Sequence, residues 1–293
     1  MNIILLGASG QLGSEWQSVI NEEYSEAGDI ILLPYTSSQL DITNHEAVRN
    51  EVREQQPDVV VNCAAFTDVD GAEDQRNKAY HVNVEAVANL AELGAELDYK
   101  LIHYSTDYVF PGRIEDKKTF PDGYPENHAA DPINYYGQTK WEGEEAIRQA
   151  SQKHLIIRVS WLCGQFGNNF VKTMLRLERE RDRLQVVNDQ FGSPTFAGDV
   201  VKNSLQLIRD DQKGTFHLTS RGLITWYDFA KEICEQNGVN VNIEPVKSDA
   251  FPTKAKRPSF SKLSTKKLES VSGTILINWR DGLETLLTQI QNR

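Results

Sequence analysis

Through its first half the chain alternates short apolar blocks with amphipathic stretches. Residues 2–6, 29–33, 58–62, 100–105 and 154–159 are apolar blocks of strand length, as expected of strands buried on both faces. Between them, residues 46–55, 79–97 and 136–149 repeat apolar positions at the helical period, and Asn44 is a natural N-cap ahead of the first. This alternation predicts βαβ units and a doubly wound, largely parallel sheet. After Val159 the rhythm changes. Helical spacing recurs at 169–181, 197–209 and 225–236, with short strand blocks at 184–187 and 214–218. The expectation is an α/β protein with a larger lobe over 1–159 and a smaller C-terminal α/β lobe over 160–293, segments near 184–218 rejoining the main sheet. Residues 110–132 are rich in Pro, Gly and Asp and follow no period, which reads as an active-site loop rather than a linker.

Gly7-Ala-Ser-Gly10-Gln-Leu-Gly13 follows the first strand and runs into a helix. Gly7 permits a tight turn, Gly10 lets backbone approach a pyrophosphate, and Gly13 allows helix to pack on strand. The helix N-terminus adds partial positive charge. This is a Rossmann-type phosphate turn, in which Gln11 and Leu12 open the helix against the ligand. Ligands of open α/β sheets lie beyond the carboxyl ends of the strands, so Gly7, Ala64, Thr106 and Trp161, each following a strand block, should converge.

Chemistry enters at Tyr136-Gly-Gln-Thr-Lys140. Tyr and Lys four apart on a helix share a face, and Ser105-Thr106 ends a strand upstream. A phenol is a weak acid at neutral pH, and a neighbouring ammonium brings its pKa down. A hydroxyl beside it can hold a carbonyl oxygen. The pattern predicts a proton-donating triad of Thr106, Tyr136 and Lys140, with Ser105 in reserve.

Charge and composition narrow the class. The 293 residues carry 42 acidic and 31 basic side chains, a net charge of −11, which argues against general nucleic-acid or membrane-surface binding. No apolar run has the length of a membrane span, so a cytoplasmic location is expected. Cys63, Cys163 and Cys234 are far apart and in no Cys-x-x-Cys pair, which suggests reduced structural thiols and no metal site. His103 lies in a strand block and reads as a core residue.

These residues also carry a resemblance. The glycine turn, Asn62-Cys-Ala-Ala65 with Asp70 and Glu73, Tyr104-Ser-Thr-Asp-Tyr-Val-Phe110, Asn134-Tyr-Tyr-Gly-Gln-Thr-Lys140, Ser160-Trp-Leu162, Gly167-Asn-Asn-Phe170, Asn188-Asp-Gln190, Gly192-Ser-Pro-Thr195 and Arg257-Pro258 resemble the extended short-chain dehydrogenase/reductases. Within that family they are most similar to the branch that reduces dTDP-linked keto sugars. The likeness spans nearly the whole chain. It implies reduction of the C4 ketone of dTDP-4-dehydro-6-deoxy-L-mannose to dTDP-L-rhamnose by hydride from a nicotinamide, in the synthesis of polysaccharide precursors. Tyr136 would give the proton, Lys140 would lower the Tyr136 pKa and hold the nicotinamide ribose, and Thr106 would hold the substrate oxygen. The resemblance adds Asp41, Ile42, Ala64, Ala65 and Thr67 as cofactor contacts. It adds Asp107, Val109, Trp161, Asn168, Asn169 and Arg257 as substrate contacts, with Arg257 on the diphosphate. Each has a plainer reading: Asp41 as a turn residue, Asn169 as a helix cap, Trp161 as a core aromatic, Arg257 as a surface cation.

Cofactor choice turns on the end of the second strand, where an NAD site usually places an acid for the ribose 2′-hydroxyl. Here the sequence reads Pro34-Tyr-Thr-Ser-Ser38. With no carboxylate to repel a 2′-phosphate, and with Thr36, Ser37 and Ser38 to bond it, NADPH is expected and NADH tolerated. Some relatives dimerise through Mg²⁺ held by glutamates. Glu15 matches one of these, but Gly198 stands at a later matching position and the sequence finishes in Asn292-Arg293, so Mg²⁺ is not expected. The assembly is left as monomer or homodimer. Two alternatives remain, a nucleotide-sugar epimerase or dehydratase that retains NAD, and a non-catalytic NADP-binding regulatory subunit.

Overall fold

A computed structural model describes residues 1–24, 28–273 and 276–292. Arg293, invoked above, lies outside the described residues. In chain order the principal elements are β1 (Asn2–Leu6), α1 (Gln11–Glu23), β2 (Ile31–Tyr35), α2 (His45–Gln55), β3 (Val59–Asn62), α3 (Ala86–Leu97), β4 (Lys100–Thr106), α4 (Tyr135–Ala150) and β5 (His154–Val159). Then come α5 (Phe170–Glu180), β6 (Arg183–Val187), α6 (Ala197–Arg209), β7 (Gly214–His217), α7 (Trp226–Gln236), β8 (Asn242–Val246) and α8 (Trp279–Gln291).

Each strand of the central sheet pairs in parallel, in the order β7-β5-β4-β3-β1-β2. Side chains alternate along β1, so Ile3 and Leu5 face one layer while Ile4 and Leu6 face the other. On the first face Trp16 and Val19 of α1 meet Val200 and Leu205 of α6; on the second, Val48 and Val52 of α2 meet Leu90 of α3. Burying both faces is what permits the unbroken Ile and Val runs read from the sequence.

A separate core forms where Val171 and Met174 of α5, Leu184 and Val186 of β6, Phe229 and Ile233 of α7 and Leu283 of α8 pack together. Here one expectation fails. Residues 184–187 do not rejoin the main sheet; β6 pairs with β8, because Leu184 and Val186 alternate with exposed Arg183 and Gln185 and so offer a single apolar face. Residues 214–217 do return to the main sheet, on β5, and α6 packs on the first-lobe core.

The segment 110–132 is more ordered than its composition suggests. Phe110 and Tyr124 stack at 4.7 Å and form a small core with Phe260 and Leu263. The helical stretch read over 79–97 is a short helix, Arg76–Tyr80, then a π-helical turn, His81–Glu85, and then α3. Asn83 in that turn accepts from the Phe66 N–H and donates to the Phe66 carbonyl and to Thr139, which accounts for the interruption.

Candidate active site

At the carboxyl ends of β1, β3, β4 and β5 lies a cavity of about 840 Å³. Gly7 turns the chain at φ +76°, and a Cβ there would stand 2.6 Å from the Ala64 nitrogen. A Cβ on Gly13 would stand 2.3 Å from the Gly7 carbonyl oxygen, so only glycine lets α1 start this close to β1. Gly10 is the N-cap of α1 and makes no side-chain cap, leaving the helix N-terminus to the cavity that Gly7, Gly10, Gln11 and Leu12 line.

Across the cavity stand Thr106, Tyr136 and Lys140, brought together by two elements. Asn134 caps α4, its Oδ1 accepting from the Gly137 N–H at 2.8 Å, and the Tyr135 N–H donates to Glu73 Oε1 at 2.9 Å. Gly137 allows this seat, since a Cβ there would lie 2.2 Å from the Tyr108 carbonyl oxygen. Thr106 ends β4, donates to Asp107 Oδ1 at 3.0 Å and accepts from the Tyr108 N–H. Ser105 and Thr106 both line the cavity; Ser105 bears on Glu144, while Thr106 bears on Tyr136.

Electrostatics correct one expectation. Lys140 does not depress Tyr136 in this arrangement. Burial pushes Tyr136 up to about 12; the hydrogen bond to Thr106 opposes that shift and the Asp107 charge adds to it. Lys140 is turned to β4, where its Nζ donates to the Tyr104 carbonyl at 2.8 Å and lies 3.0 Å from His103 Nε2. Burial brings Lys140 down to about 8, against the pull of Glu144. Asp107 is driven up to about 7 by burial, with Ser261 and Thr106 opposing, and its Oδ2 has no hydrogen-bond partner among the described residues. His103, read as a core residue, is buried but in contact with Lys140.

The family model for the RmlD substrate binding domain matches residues 1–292. The chain belongs to this family. It is 38% identical to a dTDP-4-dehydrorhamnose reductase of Escherichia coli, with 99% of this chain and 98% of that protein aligned. Its structure is similar to that of a Clostridium acetobutylicum dTDP-4-dehydrorhamnose reductase, with TM-score 0.93, 38% identity, and 99% and 100% of the two chains covered. A Bacillus anthracis dTDP-4-dehydrorhamnose reductase solved in complex with NADP is also similar, with TM-score 0.91, 38% identity, and 98% and 99% covered.

Ser37, Asp41, Ile42, Ala64, Ala65, Thr67, Asp107, Trp161 and Asn168 line the cavity with the glycine turn and triad. Gly13, Thr36, Val109, Asn169 and Arg257 do not. Gly13 acts from beneath the turn, and Thr36 bonds Gln39 and Ser38 within its own loop. Val109 is fully buried against Phe110 and Tyr124. Asn169 is the cap of α5, its Oδ1 taking the Lys172 N–H and its Nδ2 bonding Gln11 and Gly164, so the plainer reading describes it. Arg257 pairs with Asp70 at 2.8 Å, so its charge is already compensated. Asp41 accepts from Thr43 in a turn and still reaches the cavity.

Other wall residues escaped the sequence reading. Tyr108 stands edge-on to Tyr136 at 5.7 Å, and Lys78 places an exposed cation at the wall near Phe66. Tyr108 lay inside a quoted motif; Lys78 had no signal at all. Trp161 holds φ +47°, rare for so bulky a residue, and stacks on Trp226 at 3.6 Å. Among the described residues no group of three or more His, Cys, Asp and Glu could hold a metal, and all three cysteines are free. No helix among them is long and apolar enough to cross a membrane.

The cavity fits a dinucleotide: an uncapped helix N-terminus, glycines where a Cβ would collide, and no acid at residues 34–38.

Proposed function

We propose that the protein reduces the C4 ketone of dTDP-4-dehydro-6-deoxy-L-mannose to dTDP-L-rhamnose with NADPH, accepting NADH less well. The observation that carries this reading is the convergence of Thr106, Tyr136 and Lys140 on one cavity with the glycine turn. Gly7, Gly10, Gln11 and Leu12 would hold the pyrophosphate, Ser37 the 2′-phosphate side, and Asp41, Ile42, Ala64, Ala65 and Thr67 the adenosine and backbone contacts. Bound NADPH supplies the hydride. The remaining work belongs to the chain.

Tyr136 gives its phenolic proton to the carbonyl oxygen as charge builds there, and Thr106 turns its one proton from Asp107 to the same oxygen. Both interactions strengthen in the transition state, which is the condition for a rate gain. A phenol at about 12 is a reluctant acid, so the Lys140 amine must face the ribose and the phenol during turnover rather than rest on β4. Asp107, Trp161 and Asn168 would orient the sugar and base. Residues 1–159 would serve mainly the cofactor and 160–293 the sugar nucleotide. Arg257 would act through Asp70 to fix the loop it sits on, not as a free phosphate clamp.

The reading is tested by incubating the protein with the dTDP-4-keto sugar and following loss of reduced-nicotinamide absorbance. One equivalent of NADPH consumed per dTDP-L-rhamnose formed supports the reductase. Bound nucleotide without oxidation transfers the assignment to an epimerase, dehydratase or regulatory subunit. Subcellular fractionation tests the cytoplasmic site proposed for the reaction, and sedimentation distinguishes monomer from homodimer.

A further inference from the structure

Three buried side chains behind the cavity set a hydrogen-bond problem with few solutions. Asn62 and His103 are direct partners across β3 and β4. The Ala64 N–H donates to Asn62 Oδ1 at 3.1 Å, which fixes the amide: its Nδ2 faces His103 Nδ1 at 3.2 Å. An amide NH₂ only donates, so Nδ1 must be the accepting nitrogen of the ring. The ring proton then sits on Nε2, and 3.0 Å beyond it lies Lys140 Nζ. An ammonium has three donors and no acceptor, so a charged Lys140 would oppose one N–H to another. A neutral amine solves the problem: its lone pair accepts from His103 Nε2–H, one N–H donates to the Tyr104 carbonyl, and one N–H is left over.

We infer that Asn62 and His103 are positioning residues that hold Lys140 as a neutral amine in this arrangement, and that Lys140, while it rests on His103, can take up a proton only if His103 changes tautomer and the Asn62 amide turns over.

The second state is costly for a nameable reason. Turning the Asn62 amide puts its NH₂ against the Ala64 N–H, and Ala64 lines the cavity on the far side of β3. The charge of Lys140 is thereby linked to a backbone group that the proposed cofactor would meet. All three side chains are at most 1% exposed, so water does not relieve the conflict. Surrounding charge does not decide it. Glu144 on the same helix favours the ammonium, but Arg158 of β5 and Arg148 already pair with it, and Cys63, the thiol beside Asn62, is held protonated by burial. Burial lowers His103 well below the usual histidine range, which favours a neutral ring whatever the charge of Lys140.

The inference uses the proposed reaction only for its consequence, since the arrangement can be read without turnover. Long-range ¹H–¹⁵N spectra of the ¹⁵N-histidine-labelled, cofactor-free protein above about pH 8, the value to which burial brings Lys140, with His103 assigned by His103→Gln, should show Nε2 protonated and Nδ1 bare. A protonated Nδ1, with or without Nε2, overturns the inference. A second measurement exploits Asn62→Asp, which keeps the acceptor for Ala64 but gives Nδ1–H a carboxylate to meet. His103 should then switch tautomer, and Lys140, followed by lysine ¹³Cε shifts, should titrate at least about one pH unit higher, a tenfold gain in proton affinity. An unchanged Lys140 midpoint in a folded Asn62→Asp protein also overturns it. If that variant does not fold, the wild-type tautomer alone decides.

Discussion

Single side chains set the most direct expectations. Tyr136→Phe removes the proton but keeps the ring edge-on to Tyr108, so kcat should fall by roughly 10²–10⁴-fold while NADPH affinity, read by fluorescence titration, stays near wild type. Wild-type turnover in that variant would end the case for Tyr136 as donor. Asp107 predicts a pH effect with a definite sign. Its folded-state value of about 7 lies above the ordinary 3.8, so the folded chain binds this proton more tightly than the unfolded one. Its contribution is harmless below about 4, grows into a penalty as pH rises from about 4 to about 7, and is constant above. Asp107→Asn should therefore raise the Tm of the cofactor-free protein above that window and change it little below, as a thermal scan at both ends will show. The triad was legible in the sequence because a helix fixes the spacing of Tyr136 and Lys140. The direction of the Lys140 amine was not legible, because it depends on His103, which sits on another strand and looks like any buried histidine in a linear reading.

At the scale of elements, packing distances carry the argument. A methyl on Gly13 would lie 2.3 Å from the Gly7 carbonyl and 2.8 Å from Ala8 Cα, both backbone atoms that cannot step aside. Gly13→Ala should push α1 off β1, costing about 1–3 kcal/mol by chemical denaturation and most of the nucleotide affinity. Unaltered NADPH binding would mean that the turn has slack the structure does not show. The hydropathy pattern located β1, β5 and α6 with their observed ends, since β1 and β5 are built on apolar Ile-Leu runs and α6 is strongly amphipathic. It missed β8, whose Asn-Ile-Glu-Pro-Val sequence is half polar and acquires strand character only by pairing with β6. The π-helical turn at His81–Glu85 escaped for a similar reason: Asn83 bends the backbone to reach Phe66 and Thr139, contacts that no periodicity records.

On the scale of the molecule, the loop around Arg257 is tied across the lobes. Asp70 accepts from the Ala255 N–H and from Arg257 Nη2, both at 2.8 Å, and Asn134 Nδ2 donates to the Lys256 carbonyl. Asp70→Asn should loosen that loop and raise KM for the sugar nucleotide about fivefold, on the order of 1 kcal/mol, with kcat little changed. An unmoved KM would show that the clamp has no bearing on the substrate. The path of the chain between the lobes has a consequence of another kind. The first-lobe core closes only when Val200, Leu205 and Phe216 arrive, and those residues follow α5 and β6 of the second lobe. An emerging chain therefore cannot complete its cofactor-binding half as a finished intermediate on the ribosome. Leu268 and Leu276 belong to the same core, so the apolar faces of β1, β4 and β5 must wait until residue 276 has cleared the exit tunnel, and a stall before that point should leave a nascent chain that chaperones still recognise.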